Sequence, residues 1–320
     1  MTRIAVTGAT GFVGRRLCPL LKRWGYEVVA VSTTPRAPPG LSMFIDSWIY
    51  TPSLSELDEV RRGFQGVDAV VHLAALVHQF KELPFDDYHR VNVLGTQSMV
   101  DLAVDSGVQR FIYVSTVKVN GESTSEGGAF DVESVPAPTG PYALSKLHAE
   151  RIVTGRSVRR EIETVILRPV LLYGPDVGGN FLRLLNLVKR GLPLPFGGIR
   201  NARSLLFIDN FCDLIRTCLI HHGVHGRTFF AADEHAISTP NLVREIAAAL
   251  SKEARLYSVP PAVLRGIARV LGQRERLGRL VDSLEVSLAA NEMYLAWKPT
   301  ISTREGIRRT VAAMGLAKER

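Results

Sequence analysis

The fold is decided by the stretch RIAVTGATGFVG, residues 3–14. Arg3 to Val6 is a short apolar run, as a buried strand should be. Thr7-Gly8-Ala9-Thr10-Gly11-Phe12-Val13-Gly14 follows, with glycines three residues apart. Phe12, Val13, Leu17, Leu20 and Leu21 then recur at helical spacing up to Trp24. A strand, a glycine turn and a helix, in that order, form a site for a pyrophosphate. Gly8 allows the tight turn, Gly11 the close backbone approach, and Gly14 the packing of helix on strand. The anion then sits on the helix N-terminus and its dipole. Thr10, Phe12 and Val13 belong to the same predicted dinucleotide cradle.

Further strands are predicted at Glu27 to Val31, Ala69 to Leu73, Arg110 to Ser115 and Glu163 to Arg168. Long amphipathic stretches such as Asp87 to Val108 and Tyr142 to Val153 separate them. Near-continuous apolar strands alternating with helices predict the α/β class, with a parallel sheet covered on both faces. The expected architecture is a Rossmann-type doubly wound parallel sheet over residues 1–170, with a strand near 228–233 returning to it. A smaller C-terminal α/β domain over 171–320 should hold the substrate. In it, loops and short elements are expected to dominate from Tyr173 to Ser204, with helices at Pro240 to Leu250, Pro261 to Leu271 and Thr303 to Met314.

Composition limits the function classes. The chain has 320 residues, 46% hydrophobic and 22% charged, which excludes a disordered or collagenous chain. Its apolar runs are too short for a membrane-spanning helix. The N-terminus carries three glycines and then Arg15 and Arg16, unlike a secretion signal. Three cysteines (Cys18, Cys212, Cys218) have no metal spacing and suggest reduced thiols in the cytoplasm. The net charge of +8 leaves nucleic acid, an anionic membrane or a small anionic ligand open. Nucleic acid fails on pattern: the basic residues are scattered pairs without interleaved aromatics.

The second strand ends Val31-Ser32-Thr33-Thr34-Pro35-Arg36, without the acidic residue that holds the ribose of NAD. Ser32, Thr33 and Arg36, with Arg15, would accept a 2′-phosphate. NADP(H) is therefore favoured over NAD. Asp46 is placed at the end of the next short strand, as a ligand for the adenine amino group or as a turn residue. Tyr142 and Lys146 are four residues apart and so share one helix face. Lys146 is expected to lower the Tyr142 pKa, so that the phenol exchanges a proton with a substrate oxygen. The Thr116 hydroxyl would hydrogen-bond that same oxygen.

With these residues quoted, the chain resembles the extended short-chain dehydrogenase/reductases that act on nucleotide sugars. The resemblance covers essentially the whole chain. It rests on TGxxGxxG, HLAA (His72 to Ala75), Asn92, Thr116 to Gly121, YxxxK and RPxxxYGP (Arg168 to Pro175), all in order. Within the family the chain is similar to the bacterial O-antigen group, through STVKVNGE (Ser115 to Glu122) and RSLxxxDN (Arg203 to Asn210). The resemblance implies that Thr116, Tyr142 and Lys146 are catalytic. It implies that Leu73, Ala74, Ala75 and Pro169 line the cofactor. His78, Lys118, Asn180, Arg203 and Arg276 would meet a UDP-sugar, and no metal is implied. It also implies a homodimer through the two long helices of the first half.

Departures from the family pattern bear on the reaction. The 4,6-dehydratases place Asp-Glu after the active-site threonine. Here Val117 and Lys118 stand there, so elimination would lack its acid and base. The missing acid after the second strand favours an NADPH-dependent reductase of a UDP-4-keto-6-deoxy-N-acetylhexosamine. A UDP-hexose 4-epimerase with tightly bound NAD is the alternative. Arg36, Arg203 and Arg276 are the part of the positive excess expected in the cleft between a dinucleotide and a UDP-sugar.

Overall fold

The computed structural model describes residues 2–54, 57–77, 83–270, 272 and 274–315; for 268 and 274–276 it describes only the backbone. The strands are β1 (Arg3–Thr7), β2 (Glu27–Ser32), β3 (Ser47–Tyr50), β4 (Ala69–His72), β5 (Arg110–Val114), β6 (Glu163–Pro169), β7 (Leu171–Tyr173), β8 (Leu205–Phe207) and β9 (Arg227–Ala231). Seven of them form one sheet in the order β3-β2-β1-β4-β5-β6-β9, and every pair is parallel. From β1 the chain builds outward to β3, then returns to lay β4 on the other side of β1. That reversal opens a crevice at the carboxyl ends of β1 and β4, where such sheets bind ligands. Thr7 and His72 end those two strands and lie directly opposite each other.

Side chains on a strand alternate between faces, so an apolar strand fills two cores at once. Ile4, Val6, Val28, Ala30, Val71, Ile112, Val165 and Leu167 bury one face, together with Leu17 and Leu21 of the Phe12–Arg23 helix. Ala5, Val29, Val31, Val70, Phe111 and Tyr113 bury the other face. There they meet the Gly95–Asp105 and Gly140–Val158 helices through Met99, Ala103, Ala149 and Val153.

β7 and β8 form a separate parallel pair beyond β6. The helices Gly179–Lys189, Ile208–Ile220, Thr239–Ala249, Pro261–Val270, Arg274–Val281 and Thr303–Ala313 surround it or return to the sheet. Leu205, Phe207, Phe211 and Ile307 share one buried cluster with Val165 and Leu167, so apolar packing is continuous across the two halves. The start of the Ile208–Ile220 helix is tied to the glycine-turn helix: Arg16 forks onto both oxygens of Asp209, at 2.5 and 2.8 Å. Cys18, Cys212 and Cys218 are all buried free thiols. Among the described residues no helix is long and apolar enough to cross a membrane.

Between Tyr173 and Ser204 loops prevail around one helix, Gly179–Lys189, which buries Phe181, Leu184, Leu185 and Val188 on its inner face. One expectation needs correction here. Asp46 does not end the third strand. It stands before β3, at the edge of the sheet away from the glycine turn, where it accepts the Val28 N–H (2.8 Å) and pairs with Lys22. It therefore cannot reach an adenine in the crevice. The strand end that faces the crevice carries Tyr50 and then buried Thr51.

Candidate active site

The glycine turn has the geometry its spacing asks for. Gly8 has φ of +69°, in the left-handed region that favours glycine. A Cβ on Gly8 would lie 2.8 Å from the Ala74 nitrogen, so the turn is pressed against the chain leaving β4. A Cβ on Gly14 would lie 2.5 Å from the Gly8 oxygen, which is why the helix can sit this close. Gly11 caps the helix with no side-chain hydrogen bond, and the first turn holds no acidic residue. The helix thus begins at an uncapped N-terminus beside a glycine turn, which suits a pyrophosphate. Thr10, Phe12 and Val13 are half-buried around it, while Arg15 turns back onto the Thr10 carbonyl (2.7 Å). Leu73 N–H donates to the Thr7 carbonyl (3.3 Å), and Ala74 and Ala75 continue along the turn.

The β2 end is polar and carries no acid. Ser32 is buried and accepts the Thr34 N–H (3.0 Å). Trp48 on β3 holds the same loop through the Thr34 carbonyl (3.1 Å). Thr33 and Arg36 are exposed at its tip.

Across the crevice, Thr116 stands two residues past β5 and caps a short helical turn by accepting the Lys118 N–H (3.3 Å). Its side chain lies beside the Tyr142 hydroxyl, close enough to lower the pKa of that phenol. Tyr142 is in the first turn of the Gly140–Val158 helix, with its ring centre 6.0 Å from that of buried Tyr88. Lys146, one turn further, is buried, donates to the Val114 carbonyl (2.7 Å) and lies 4.2 Å over the Tyr113 ring.

The electrostatics differ from the sequence expectation. Burial pushes the Tyr142 phenol up to about 12, and Thr116 only partly offsets this. Burial also pulls the Lys146 ammonium down to about 7, against the attraction of Glu150. The lysine spends its hydrogen bond on a backbone carbonyl, so it does not bring the phenol into the working range in this state. Tyr142 is set as a proton donor rather than as a ready phenolate.

Thr116 and Tyr142 open onto a cavity of about 530 Å³ between the sheet and the second half. Val170, Leu172, Phe181, Leu184, Leu205 and Leu284 give it apolar walls, and Pro169, Lys118, Asn180 and Arg203 also line it. Arg203 is largely enclosed and donates to the Asp282 carbonyl (2.8 Å); burial lowers its pKa. Lys118 is paired with Glu122.

His78 lies outside the described residues, and so does the side chain of Arg276. One turn after Arg276 on the same helix, Arg279 lines the cavity and approaches Glu122 to 4.0 Å. The sequence reading missed Arg279, Arg183 and Glu122. Arginines are so frequent in this stretch that no local pattern marks Arg279 for the cavity.

The RPxxxYGP residues act as a brace. Arg168 is buried and forks onto both oxygens of buried Glu150 (3.0 and 2.6 Å), while also donating to Asn120 (3.1 Å). This fixes the Tyr142 helix to the end of β6. Tyr173 donates to Asp233 (2.8 Å), which ties β7 to the chain after β9.

A glycine turn under a helix N-terminus and a Thr–Tyr–Lys set beside a deep cleft define a dinucleotide-dependent enzyme that oxidises alcohols or reduces ketones. The chain belongs to the NAD dependent epimerase/dehydratase family, whose model matches residues 4–232, and it is thus an extended short-chain dehydrogenase/reductase of the nucleotide-sugar type. It is 36% identical to a UDP-glucose 4-epimerase of Vibrio cholerae, over 99% of this chain and 97% of that one. Its fold is similar to a Thermotoga maritima UDP-glucose 4-epimerase solved with UDP-glucose, at a TM-score of 0.79 and 19% identity, covering 98% of this chain and 99% of that one. It is also similar to MoeE5 in complex with UDP-glucuronic acid and NAD, at a TM-score of 0.78 and 23% identity, covering 98% and 99% of the two chains.

Proposed function

We propose that the protein is a UDP-hexose 4-epimerase, using Tyr142 as acid and base at the C4 oxygen. The observation that carries this reading is the Thr116–Tyr142 pair opening onto a cavity that Asn180, Arg203 and Arg279 also line. The full-length likeness to the Vibrio cholerae epimerase supports the choice of reaction.

Gly8, Gly11 and Gly14 would hold the dinucleotide pyrophosphate, with Leu73, Ala74 and Pro169 beside it. The bound dinucleotide would supply a hydride acceptor and donor. Tyr142 holds or takes the proton at the C4 oxygen, and Thr116 keeps that oxygen oriented. Lys146 carries a charge that can still change near neutral pH. Arg203 and Arg279 offer cationic donors to a diphosphate. The apolar side of the cavity makes no directional contact and would leave a sugar room to turn between its two faces.

The β2 end favours a second reading, an NADPH-dependent reductase of a UDP-4-keto-6-deoxy-N-acetylhexosamine. Ser32, Thr33 and Arg36 stand there without an acid, a set that accepts a 2′-phosphate. The long helices Gly95–Asp105 and Gly140–Val158 expose Leu144 and leave Leu94 exposed at the entry to the first. A homodimer joined there completes the reading.

The test is to analyse the purified protein for retained nucleotide and to incubate it with UDP-glucose or UDP-N-acetylglucosamine. Retained NAD and formation of the C4 epimer support the epimerase. An empty protein that instead consumes NADPH with a UDP-4-keto-6-deoxy sugar rejects it in favour of the reductase.

A further inference from the structure

Among the buried titratable residues that the cleft chemistry leaves unused is His72. His72 ends β4 with no solvent exposure, its ring between those of Phe111 and Tyr113 at 5.6 and 5.9 Å. Both ring nitrogens are within hydrogen-bond reach of hydroxyls, Nδ1 to Thr7 at 2.9 Å and Nε2 to Thr96 at 3.1 Å.

The protons can be assigned from the ends of this chain inward. The Thr96 hydroxyl lies 2.7 Å from the Asn92 carbonyl, which can only accept. Thr96 has then spent its single proton, so the Nε2–H of His72 must donate to it. At the other end, the Ala74 N–H can only donate, and its partner is the Thr7 oxygen (3.1 Å). Nδ1 of a neutral ring accepts, so the Thr7 hydroxyl supplies that proton. Beyond Thr96 the links continue. The Asn92 side chain clasps both backbone groups of Leu76 (2.7 and 2.9 Å) and donates to Ser145 (3.0 Å). Ser145 donates to the Tyr142 carbonyl (2.7 Å).

We propose that His72 is a positioning residue, a neutral Nε2–H imidazole at the centre of a one-directional buried chain that fixes the spacing between the glycine turn and the Tyr142 helix. Its ends support the assignment. Thr7 immediately precedes Gly8, and Ala74 is the residue against which Gly8 packs. The far end is the backbone of Tyr142 itself. The π-helical turn His89–Leu94 presents Asn92 to this route, and such turns recur at functional sites. The groups facing the ring are Thr7, Thr96, Phe111, Tyr113 and the Lys146 charge. Burial and that charge pull the imidazole down to about 3, consistent with a neutral ring. The inference concerns how the catalytic pair is held, and so rests on the redox reading of the site.

Two measurements test it on the full chain. The first uses 15N-histidine protein, with His72→Gln to identify the His72 resonances. The expected spectrum has a pyrrole-type Nε2 and a pyridine-type Nδ1, unchanged between pH 8 and pH 5. A protonated Nδ1, or titration near the ordinary histidine value of about 6.5, overturns the proposal. The second compares Thr96→Val with Thr96→Ser. The valine variant should lower kcat about tenfold with the UDP-sugar KM unchanged, since small misplacements of a catalytic group are costly. The serine variant should restore it. Full kcat in the valine variant, or an equal loss in both, overturns the positioning role. Absence of turnover with every UDP-sugar would reject the functional reading instead, while the tautomer spectrum would still decide the state of His72.

Discussion

Replacing Gly8 with alanine separates backbone strain from crowding at the dinucleotide turn. Two costs add. Holding alanine at φ +69° costs about 1–2 kcal/mol. Its Cβ would also lie 2.8 Å from the Ala74 nitrogen and 3.0 Å from its Cα, and both are backbone atoms that cannot rotate away. Overpacking of this kind costs about 1–3 kcal/mol more. The total is roughly 2–5 kcal/mol, a large share of the stability of a typical protein. Unfolding entropy for 320 residues comes to about 0.7 kcal/mol per kelvin, so the melting temperature should fall by about 3–7 °C. Gly25→Ala is the control, because Gly25 has φ of +87° with nothing within 4 Å of its would-be Cβ. It carries the strain without the crowding and should fall by only about 1.5–3 °C. Thermal melts give the stabilities, and fluorescence titration gives dinucleotide affinity, which Gly8→Ala alone should weaken. The reasoning fails if the two variants melt together, or if Gly8→Ala binds dinucleotide as tightly as the parent.

Glu150→Gln leaves Arg168 buried without its carboxylate and should cost about 3–5 kcal/mol in denaturant unfolding, whereas a double replacement of both by apolar residues should cost much less. Tyr142→Phe removes the proton donor and should reduce kcat by about 10²–10⁴-fold without lowering the melting temperature. Lys146 has a folded pKa of about 7 against an ordinary 10.5, so the unfolded chain binds the extra proton between those values. Stability should therefore rise with pH across that window, and Lys146→Met should flatten the rise. Light scattering should report a dimer that Leu144→Glu breaks into monomers, with Leu144 exposed as the observation behind it.

The glycine turn, the alternation of strands and helices and the Tyr142–Lys146 spacing were legible because each is a local pattern with one geometry that satisfies it. Other features depended on register or on partners far along the chain. The third strand was placed too early, since Asp46 looks the same at a strand's beginning and at its end. The Gly179–Lys189 helix was missed although Phe181, Leu184, Leu185 and Val188 carry its periodicity, because flanking glycines and prolines dominate the stretch. Arg279 was not singled out, because its place on the cavity wall follows from helix register that no local motif displays. The phenol pKa went the other way because burial, which no motif displays, outweighs a nearby lysine whose hydrogen bond goes to Val114. The role of Arg168 as a brace also needed the fold, since Glu150 lies eighteen residues away in the chain.

The buried cysteines have a practical consequence. Cys18 and Cys218 have thiols pushed up to about 12 by burial, and burial pushes Cys212 up as well. Cysteine reacts with alkylating reagents as the thiolate, so the folded chain is chemically silent towards them at its three cysteine sulfurs. A single cysteine introduced on the surface would carry a fluorophore or spin label with no need to delete a native one. The same silence makes the three thiols a clock for unfolding: each becomes reactive only when the core that encloses it opens.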